Sequence, residues 1–367
     1  MMDEEQPNPP PVIEEIDHLK RVSRIKHVIL AKYFPPWARI LGSRNTQLVY
    51  VDCFAGPGQF EMEGNLVEGS PGIAVREGAK LVREGAVQNL LLYLVDEGAE
   101  QVARLKTRLG EQLPYPRNLT VKVICADSRS FIPTLLPGLG SSAPAFFFID
   151  PYGHPLPLPL IKKILERPRT EVLINLMWFQ INRDLNNPKV ESRLNDLFGD
   201  KEWQNQPFMT MHGAQREKAF ISYFNSQLKC RYVFPFKVRY DVEDMQNFHR
   251  TKYYLLHASN HPKATLLMKE VMWPLGDEEG TFAFSGGRQE ILITETPTEQ
   301  ELESMLVQRF SGKEIGFDQL REQTWDLPFI EKHYRSVLKR MEGKELTVIR
   351  VTSAKTGIKG ADRIRFN

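Results

Sequence analysis

Four short, almost wholly apolar runs stand out in the first 150 positions of the chain, and an aspartate ends or follows each of them. Runs of this length, rich in branched and aromatic residues, are typical of strands buried on both faces of a parallel sheet. Because parallel strands end at one edge, the four carboxylates are expected to lie together there, where α/β proteins bind ligands. The runs are residues 48–51, 90–95, 121–126 and 145–149, and the acids are Asp52, Asp96, Asp127 and Asp150.

Helical periodicity fills the intervals between these runs, and a further pair of strand patterns follows them. The pattern therefore predicts an α/β fold, a Rossmann-like sheet that ends in an antiparallel hairpin. The additional predicted elements are crossover helices over 71–84, 97–113 and 131–136, a fifth strand over 171–177, and paired strands over 231–240 and 251–258.

Two segments beside the predicted ligand edge have a composition of their own. Residues 154–159 alternate proline with other residues, so a stiff loop is expected there, because proline lacks a backbone donor and fixes φ. Residues 59–69 are either a lid over the ligand or a long surface loop. Ser70 and Pro71 are expected to supply the N-cap and first turn of the next helix.

The C-terminal part has a different pattern, in which three helices precede two short strands. Thr298 and Glu301 form a capping-box pattern at the first helix. Three helices with a β-wing indicate a winged helix-turn-helix. Nucleic-acid contact is favoured over protein docking for its basic residues, Lys332, Arg335 and Lys339 on the third helix and Lys355 and Lys359 on the wing.

These patterns divide the chain into four parts. The predicted domains are a disordered, acidic and proline-rich tail at 1–11, a helical element at 12–45, the Rossmann-like domain at 46–295 with an insertion at about 182–230, and the winged-helix domain at 296–367.

Composition indicates the cellular compartment of the protein more than it indicates its chemistry. The 367 residues contain 48 Lys and Arg against 46 Asp and Glu, so any basic surface must be local. The three cysteines are far apart, which favours reduced core thiols, and the start lacks a signal pattern. No apolar run is long enough to cross a bilayer, so a cytoplasmic protein is expected. His257 and His261 lack a third ligand at suitable spacing, so no metal site is predicted.

The first strand runs into the loop Phe54-Ala55-Gly56-Pro57-Gly58, whose small residues leave backbone N–H groups open to a ligand. A dinucleotide fingerprint would need a third glycine three positions after Gly58, where this chain has Glu61. No stretch matches the Walker pattern either. A nucleotide-like cofactor other than NAD or ATP is therefore favoured.

With this loop and the acids after it, the chain resembles the class I S-adenosylmethionine-dependent methyltransferases. The resemblance implies that Gly56 and Gly58 hold the methionine part, that Asp96 binds the ribose hydroxyls and that Asp127 meets the adenine. Further candidate cofactor contacts at the same edge are Asp52, Phe54, Ala55 and Ser128.

The fourth run ends in Asp150-Pro151-Tyr152, which looks like the Asp-Pro-Pro-Tyr signature of amino-group methyltransferases with one proline missing. Asp150 and the Pro151 carbonyl suit the hydrogens of an exocyclic amine, and Tyr152 suits stacking on a base. Attack at cytosine carbon five would need a Pro-Cys pair, which the chain lacks. The alternative for Asp150 is an acid that caps the next turn.

A closer resemblance covers most of the chain. Lys26-His27, Tyr33 and Trp37 before the glycine loop, then Gly69-Ser70-Pro71 and His261-Pro262, are similar to the three-Cys-motif partner proteins. This family implies the methyltransferase fold and a radical-SAM-like protein partner. The hypotheses are a methyltransferase acting on a base amine of DNA or RNA and, alternatively, a non-catalytic partner that binds nucleic acid or its partner protein through the winged helix.

Overall fold

The computed structural model describes residues 21–111, 114–140, 142–240, 250–276, 282–284, 298–351 and 357–367. Its strands are β1 (Gln47–Asp52), β2 (Gln59–Met62), β3 (Asn65–Glu68), β4 (Asn89–Asp96), β5 (Leu119–Cys125), β6 (Ala145–Ile149), β7 (Thr170–Leu176), β8 (Tyr232–Arg239), β9 (Thr251–Ser259), β10 (Ala283–Phe284), β11 (Glu314–Gly316), β12 (Leu346–Ile349) and β13 (Arg363–Phe366).

The α-helices alternate with the strands through most of the chain and form the C-terminal part with the last three strands. They are α1 (Arg21–Gly42), α2 (Ser70–Arg83), α3 (Ala99–Gly110), α4 (Ser128–Leu135), α5 (Leu158–Glu166), α6 (Trp178–Asp184), α7 (Glu191–Phe198), α8 (Gly213–Gln227), α9 (Pro262–Met272), α10 (Glu299–Phe310), α11 (Phe317–Gln323) and α12 (Glu331–Met341).

Eight strands form one sheet in the order β10-β8-β9-β7-β6-β1-β4-β5. The strand β9 is antiparallel to both of its neighbours, and the other pairs are parallel. The Rossmann-like α/β fold with its antiparallel hairpin is therefore confirmed. Because β5, β4, β1, β6 and β7 run in one direction, their carboxyl ends form a continuous edge.

Apolar layers cover both faces of this sheet. One face packs against α1, α2, α3 and α9, and the other against α4 to α8. Strand β6 is buried along its whole length, which explains its uninterrupted apolar sequence. In the predicted insertion, Trp203, Phe208 and Phe224 are buried in the second layer.

The structure corrects three local expectations. Residues 154–159 are not loop throughout, because α5 begins at Leu158 and Pro159 lies in its first turn, where proline costs no hydrogen bond. The N-cap of α2 is Gly69 rather than Ser70. Cys125 is exposed at the end of β5 and is not a core thiol.

The segment between β1 and α2 is a β-hairpin. The strands β2 and β3 pair antiparallel from Gln59 with Glu68 to Met62 with Asn65. Phe60 of this hairpin lines the cleft described below. Residues 59–68 are therefore a hairpin beside the cleft rather than an irregular surface loop.

The C-terminal part is a winged helix. Three helices, α10 to α12, enclose an apolar core with a small sheet in the order β11-β13-β12, of which β11 was not predicted. The capping box of Thr298 and Glu301 is present at the start of α10. The tip residue Lys355 and the predicted tail at 1–11 lie outside the described residues.

The winged helix packs against the large sheet through α9. The buried Lys269 ammonium donates to the backbone oxygens of Trp325 at 2.9 Å and Leu327 at 2.5 Å. The next residue, Glu270, accepts from the backbone N–H of Glu331 at 2.8 Å. The first turn of α12 is therefore held against α9. Within the described ranges, no helix has the length and apolar character that a bilayer crossing needs.

Candidate functional site

A cleft of about 580 Å³ lies at the carboxyl edge of the sheet, where the sequence placed its acids. Nine of the predicted site residues line it: Phe54, Ala55, Gly56, Asp96, Asp127, Ser128, Asp150, Pro151 and Tyr152. Lining residues without a predicted role include Ser23, Lys26 and His27 of α1, Phe60 of the hairpin, and His154. The cleft is therefore lined both by α1 and by residues at the carboxyl ends of the strands.

The glycine loop after β1 forms the floor of the cleft. Gly56 has a φ of +59° and Gly58 a φ of +80°, a region that side chains other than glycine rarely adopt. A Cβ on Gly58 would also lie 2.6 Å from Leu105 Cδ1. Gly58 shapes the loop from behind, since it does not line the cleft.

Asp96, at the end of β4, holds this loop in place. Its Oδ2 accepts from the backbone N–H of Gly56 at 2.8 Å, and its Oδ1 accepts from Gly98 at 2.9 Å. Each carboxylate oxygen can accept a second hydrogen bond. Asp96 therefore positions the loop and still offers acceptor capacity to the cleft that it lines.

The residues after β5 are occupied by local contacts. Asp127 caps α4 by accepting from the backbone N–H of Arg129 at 2.8 Å. The buried Ser128 donates from Oγ to the Cys53 oxygen at 2.6 Å and so ties α4 to the loop after β1. Both residues line the cleft, but their polar atoms also stabilise its walls.

Asp52 lies behind the loop and is completely buried. Its Oδ1 accepts from the Phe54 N–H at 3.3 Å and its Oδ2 from the Tyr50 hydroxyl at 3.4 Å. Burial raises the pKa of Asp52 to about 7, although a hydrogen bond from Ser70 opposes the shift. Asp52 does not line the cleft, so the structure separates it from the other candidate cofactor contacts.

Asp150 follows β6 at the other side of the loop. The Lys26 ammonium lies 2.8 Å from its Oδ1 and 2.7 Å from its Oδ2, and Asn175 Nδ2 donates to Oδ1 at 2.7 Å. Two residues on, Tyr152 is 96% exposed and also lines the cleft. A paired carboxylate therefore lies beside an accessible aromatic ring.

Sequence reasoning gave no role to His154, which also lines the cleft. Its Nε2 lies 2.9 Å from Asp184 Oδ2, and Gln180 donates to both oxygens of that buried carboxylate at 3.1 and 2.9 Å. Burial lowers the pKa of His154, although Asp184 opposes the shift. The signal was present as a histidine two positions after Tyr152, but its carboxylate partner is 30 residues away.

The other histidines considered in the sequence have structural contacts. His257 Nε2 lies 3.3 Å from the Tyr33 hydroxyl and 3.2 Å from Glu171 Oε2 in a buried cluster. His261 caps α9 by accepting from the Lys263 N–H at 3.3 Å. In the part of the chain that the structure describes, no group of three potential ligands could hold a metal ion.

The basic residues of the winged helix are engaged to different degrees. Arg335 binds Glu331 at 2.8 Å through Nε and lies 4.9 Å from the centre of the Phe317 ring. The Lys332 ammonium lies 5.7 Å from the centre of the Trp273 ring. Lys339 and Lys359 are exposed. The predicted basic residues of α12 are thus partly engaged by neighbouring side chains.

Two sequence comparisons bear on the chain. A family model described as a GMT-like wHTH domain matches residues 277–353. This match agrees with the winged helix formed by α10 to α12. No curated protein matches the chain in sequence.

The similar solved structures are remote. A Legionella pneumophila protein of family-model DUF519 is 13% identical, with 67% of this chain and 90% of that chain covered and a TM-score of 0.41. A SAM-dependent methyltransferase from Agrobacterium tumefaciens is 10% identical, with 65% and 62% covered and a TM-score of 0.34. Trm1 from Pyrococcus horikoshii, solved with S-adenosyl-L-methionine, is 12% identical, with 91% and 90% covered and a TM-score of 0.34. At these TM-scores the similarities carry no argument, so the assignment of the fold rests on the strand order of the sheet.

Proposed function

We propose that this protein is an S-adenosylmethionine-dependent methyltransferase that acts on an exocyclic amine of a nucleic-acid base. The observation that carries the proposal is the convergence, in one cleft, of the glycine loop, Asp96, Asp127 and the segment 150–152. These groups come from four strand ends that are far apart in sequence. Their meeting follows from the strand order of a methyltransferase-like sheet.

The cleft suits the cofactor in size and in chemistry. Its volume of about 580 Å³ lies within the usual range for small-molecule sites. Acceptor capacity on Asp96 fits ribose hydroxyls, and the backbone at Gly56 allows close approach. When bound, S-adenosylmethionine supplies an electrophilic methyl group.

Asp150, Pro151 and Tyr152 are the proposed substrate-facing residues. A carboxylate has about four acceptor positions, and Lys26 and Asn175 engage three of them, two on Oδ1 and one on Oδ2. The remaining position on Oδ2 and the Pro151 carbonyl can accept the two amine hydrogens. These hydrogen bonds direct the nitrogen lone pair toward the methyl group of the cofactor. The exposed Tyr152 ring can stack on a base that is flipped out or single-stranded.

The winged helix is the proposed second contact, with DNA or RNA. The exposed Lys339 and Lys359 support this role most directly. From the resemblance to three-Cys-motif partner proteins we also propose a radical-SAM-like partner protein. The three free cysteines of the chain fit a reducing compartment, for which we propose the cytoplasm.

Calorimetric titration of the purified chain with S-adenosylmethionine and S-adenosylhomocysteine tests the cofactor. Saturable binding of both is expected, and its absence both in the isolated chain and in a co-purified complex would overturn the proposal. Methyl-labelled S-adenosylmethionine with total RNA and genomic DNA then tests the substrate. Cofactor binding without label in either pool would favour the non-catalytic alternative.

A further inference from the structure

His154 lines the cleft on the same segment as the proposed substrate contacts, and the proposed function gives it no role. It follows Asp150 by four residues and Tyr152 by two, and all three residues line the cleft. Its side chain is only 10% exposed, so its ring is largely removed from water. A base that stacks on Tyr152 and presents its amine to Asp150 is therefore expected to lie next to this ring.

The contact with Asp184 decides which ring nitrogen of His154 carries the hydrogen. Nε2 lies 2.9 Å from Asp184 Oδ2, and a carboxylate oxygen can only accept. Gln180 donates to both oxygens of this carboxylate, at 3.1 and 2.9 Å, and so holds it in position on α6. In a neutral ring the hydrogen is therefore on Nε2, and Nδ1 keeps a lone pair.

The electrostatic surroundings keep this ring neutral at pH 7 and above. Burial lowers the pKa of His154 below its usual 6.5 and outweighs the opposing effect of Asp184, and the charges of Arg193 and Arg129 add to the lowering. Among the described residues, the contact with Asp184 is the only hydrogen bond of the ring. His154 therefore offers the cleft one acceptor, Nδ1, and no donor.

An acceptor next to the amine site distinguishes bases by the ring atom beside their exocyclic amine. In guanine that atom is N1, which carries a hydrogen, whereas the ring nitrogens beside the amines of adenine and cytosine carry lone pairs. The N1–H of guanine can donate to Nδ1, but a facing lone pair would leave two buried acceptors without a hydrogen. Mismatches of this kind are an effective source of specificity.

We propose that His154, oriented by Asp184, selects guanine through its N1–H, so that the 2-amine of guanine is the methyl acceptor. The inference rests on the proposed function and narrows its substrate to one base of DNA or RNA. In the transfer, the amine nitrogen bonds to the methyl carbon, and sulfur keeps the electron pair of the broken carbon–sulfur bond. The proton that the amine loses passes to the Asp150 carboxylate.

The identity of the methylated nucleoside tests the choice of base. The protein is incubated with methyl-labelled S-adenosylmethionine and either total RNA or genomic DNA, and each pool is then digested to nucleosides. Label is expected in N2-methylguanosine or its deoxy form, and the pool that carries it distinguishes RNA from DNA. Label in N6-methyladenine or N4-methylcytosine would overturn the inference and leave the proposed function intact. No label in either pool would overturn both.

Binding measurements test whether His154 makes this choice. The probes are fluorescently labelled short thymine oligonucleotides that carry one central guanine or one central 2-aminopurine, which keeps the 2-amine but has a lone pair on N1. Wild type loaded with S-adenosylhomocysteine should bind the guanine probe about tenfold more tightly in fluorescence anisotropy, as expected when a mismatch leaves buried acceptors unpaired. His154→Phe should reduce this preference to within about twofold.

Asp184→Asn provides a readout that a purely structural role of His154 would not change. Gln180 can still donate to the remaining oxygen, so the new amide nitrogen can donate to Nε2 and shift the ring hydrogen to Nδ1. The preference should then reverse in favour of 2-aminopurine. His212→Phe replaces an exposed histidine that does not line the cleft and should keep the wild-type preference.

Two binding results would overturn the role of His154. Equal affinity of wild type for both probes would show that N1–H is not recognised. A guanine preference that persists in both His154→Phe and Asp184→Asn would show that His154 only ties the segment after β6 to α6. Titration with S-adenosylhomocysteine verifies that each variant still binds the cofactor product.

Discussion

The cleft and the winged helix both carry charged residues that the sequence singles out, but the structure leaves these residues in different states. In the cleft, Asp96 and Asp150 line a cavity and retain acceptor capacity beside their protein partners. On the winged helix, Arg335 is bound by Glu331, while Arg363 and Arg365 both contact Glu314. The acids of the cleft therefore keep acceptor capacity beside a cavity, whereas the winged helix pairs most of its arginines with acidic side chains.

This difference shows which sequence patterns predict where a charged side chain lies in the folded protein. An acid at the end of a parallel strand is placed at the ligand edge by the sheet itself. A basic residue on a helix surface depends on whatever packs beside that helix. The strand-end interpretation is thus more robust than the helix-surface interpretation.

The largest effect is expected at Asp96. Asp96→Ala removes the acceptor for the Gly56 and Gly98 N–H groups and the proposed partner of the ribose. Titration with S-adenosylmethionine should show affinity at least about a hundredfold weaker, since several hydrogen bonds to a charged group are lost together.

Asp150→Ala is the matched comparison within the cleft. It should retain S-adenosylmethionine binding within about tenfold and abolish methyl transfer, because Asp150 is the proposed acceptor-facing carboxylate, whereas Asp96 is the proposed partner of the ribose. Equal loss of cofactor binding in both variants would contradict this division of roles. Glu100→Gln, on the exposed face of α3, is the control.

The contact between α9 and the winged helix should make stability depend on pH through Lys269. Burial lowers the pKa of Lys269 to about 7, below its ordinary value of 10.5. Between these values the unfolded chain binds more protons than the folded one, so the free energy of unfolding should rise with pH across this window. The rise should be on the order of a few kcal/mol, since one pKa unit corresponds to about 1.4 kcal/mol.

Urea unfolding at several pH values from 6 to 10 measures this rise, with Lys269→Met as the variant that should lose it. Lys263→Met, on the exposed side of the same helix, should keep it. A rise of the same size in Lys269→Met would show that other groups cause the pH dependence.

The accuracy of the predictions made from the sequence differs between these regions for physical reasons. Apolar runs ending in acids were enough to predict the parallel strands and the edge that carries Asp96 and Asp150. The helix start at Leu158 was missed because proline in a first turn resembles proline in a loop. The pairing of Lys26 with Asp150 could not be predicted, since 124 residues separate them and only the docking of α1 brings them together.

A smaller effect is expected from the exposed lysines of the winged helix. Lys339→Ala with Lys359→Ala should weaken nucleic-acid binding several-fold at low salt. It should also reduce the slope of log affinity against log salt by up to about 1.8, since each neutralised phosphate contributes about 0.9. Fluorescence anisotropy with a labelled duplex at several salt concentrations measures both quantities.

The control for this pair is Lys163→Ala with Lys189→Ala, which removes two exposed charges outside the winged helix. It should leave the salt slope unchanged. Equal slopes in the Lys339 and Lys359 double variant and in wild type would indicate that the winged helix docks protein rather than nucleic acid.

The smallest effect is expected where the comparison between the regions is most direct, at Glu314. Its carboxylate lies 2.7 Å from Arg363 Nε and 2.8 Å from Arg365 Nη2, and the hydrogen bond from Arg365 is the main cause that lowers the pKa of Glu314. Glu314→Gln should release both arginines and so raise nucleic-acid affinity by about twofold, with a steeper salt slope. Thermal stability should change little, because exposed ion pairs contribute little to folding.

Glu345→Gln removes the same charge from an exposed position and is the matched control. If both variants raise affinity equally, net charge alone is responsible; if only Glu314→Gln does, the internal pairing of these arginines limits the winged helix as a nucleic-acid surface.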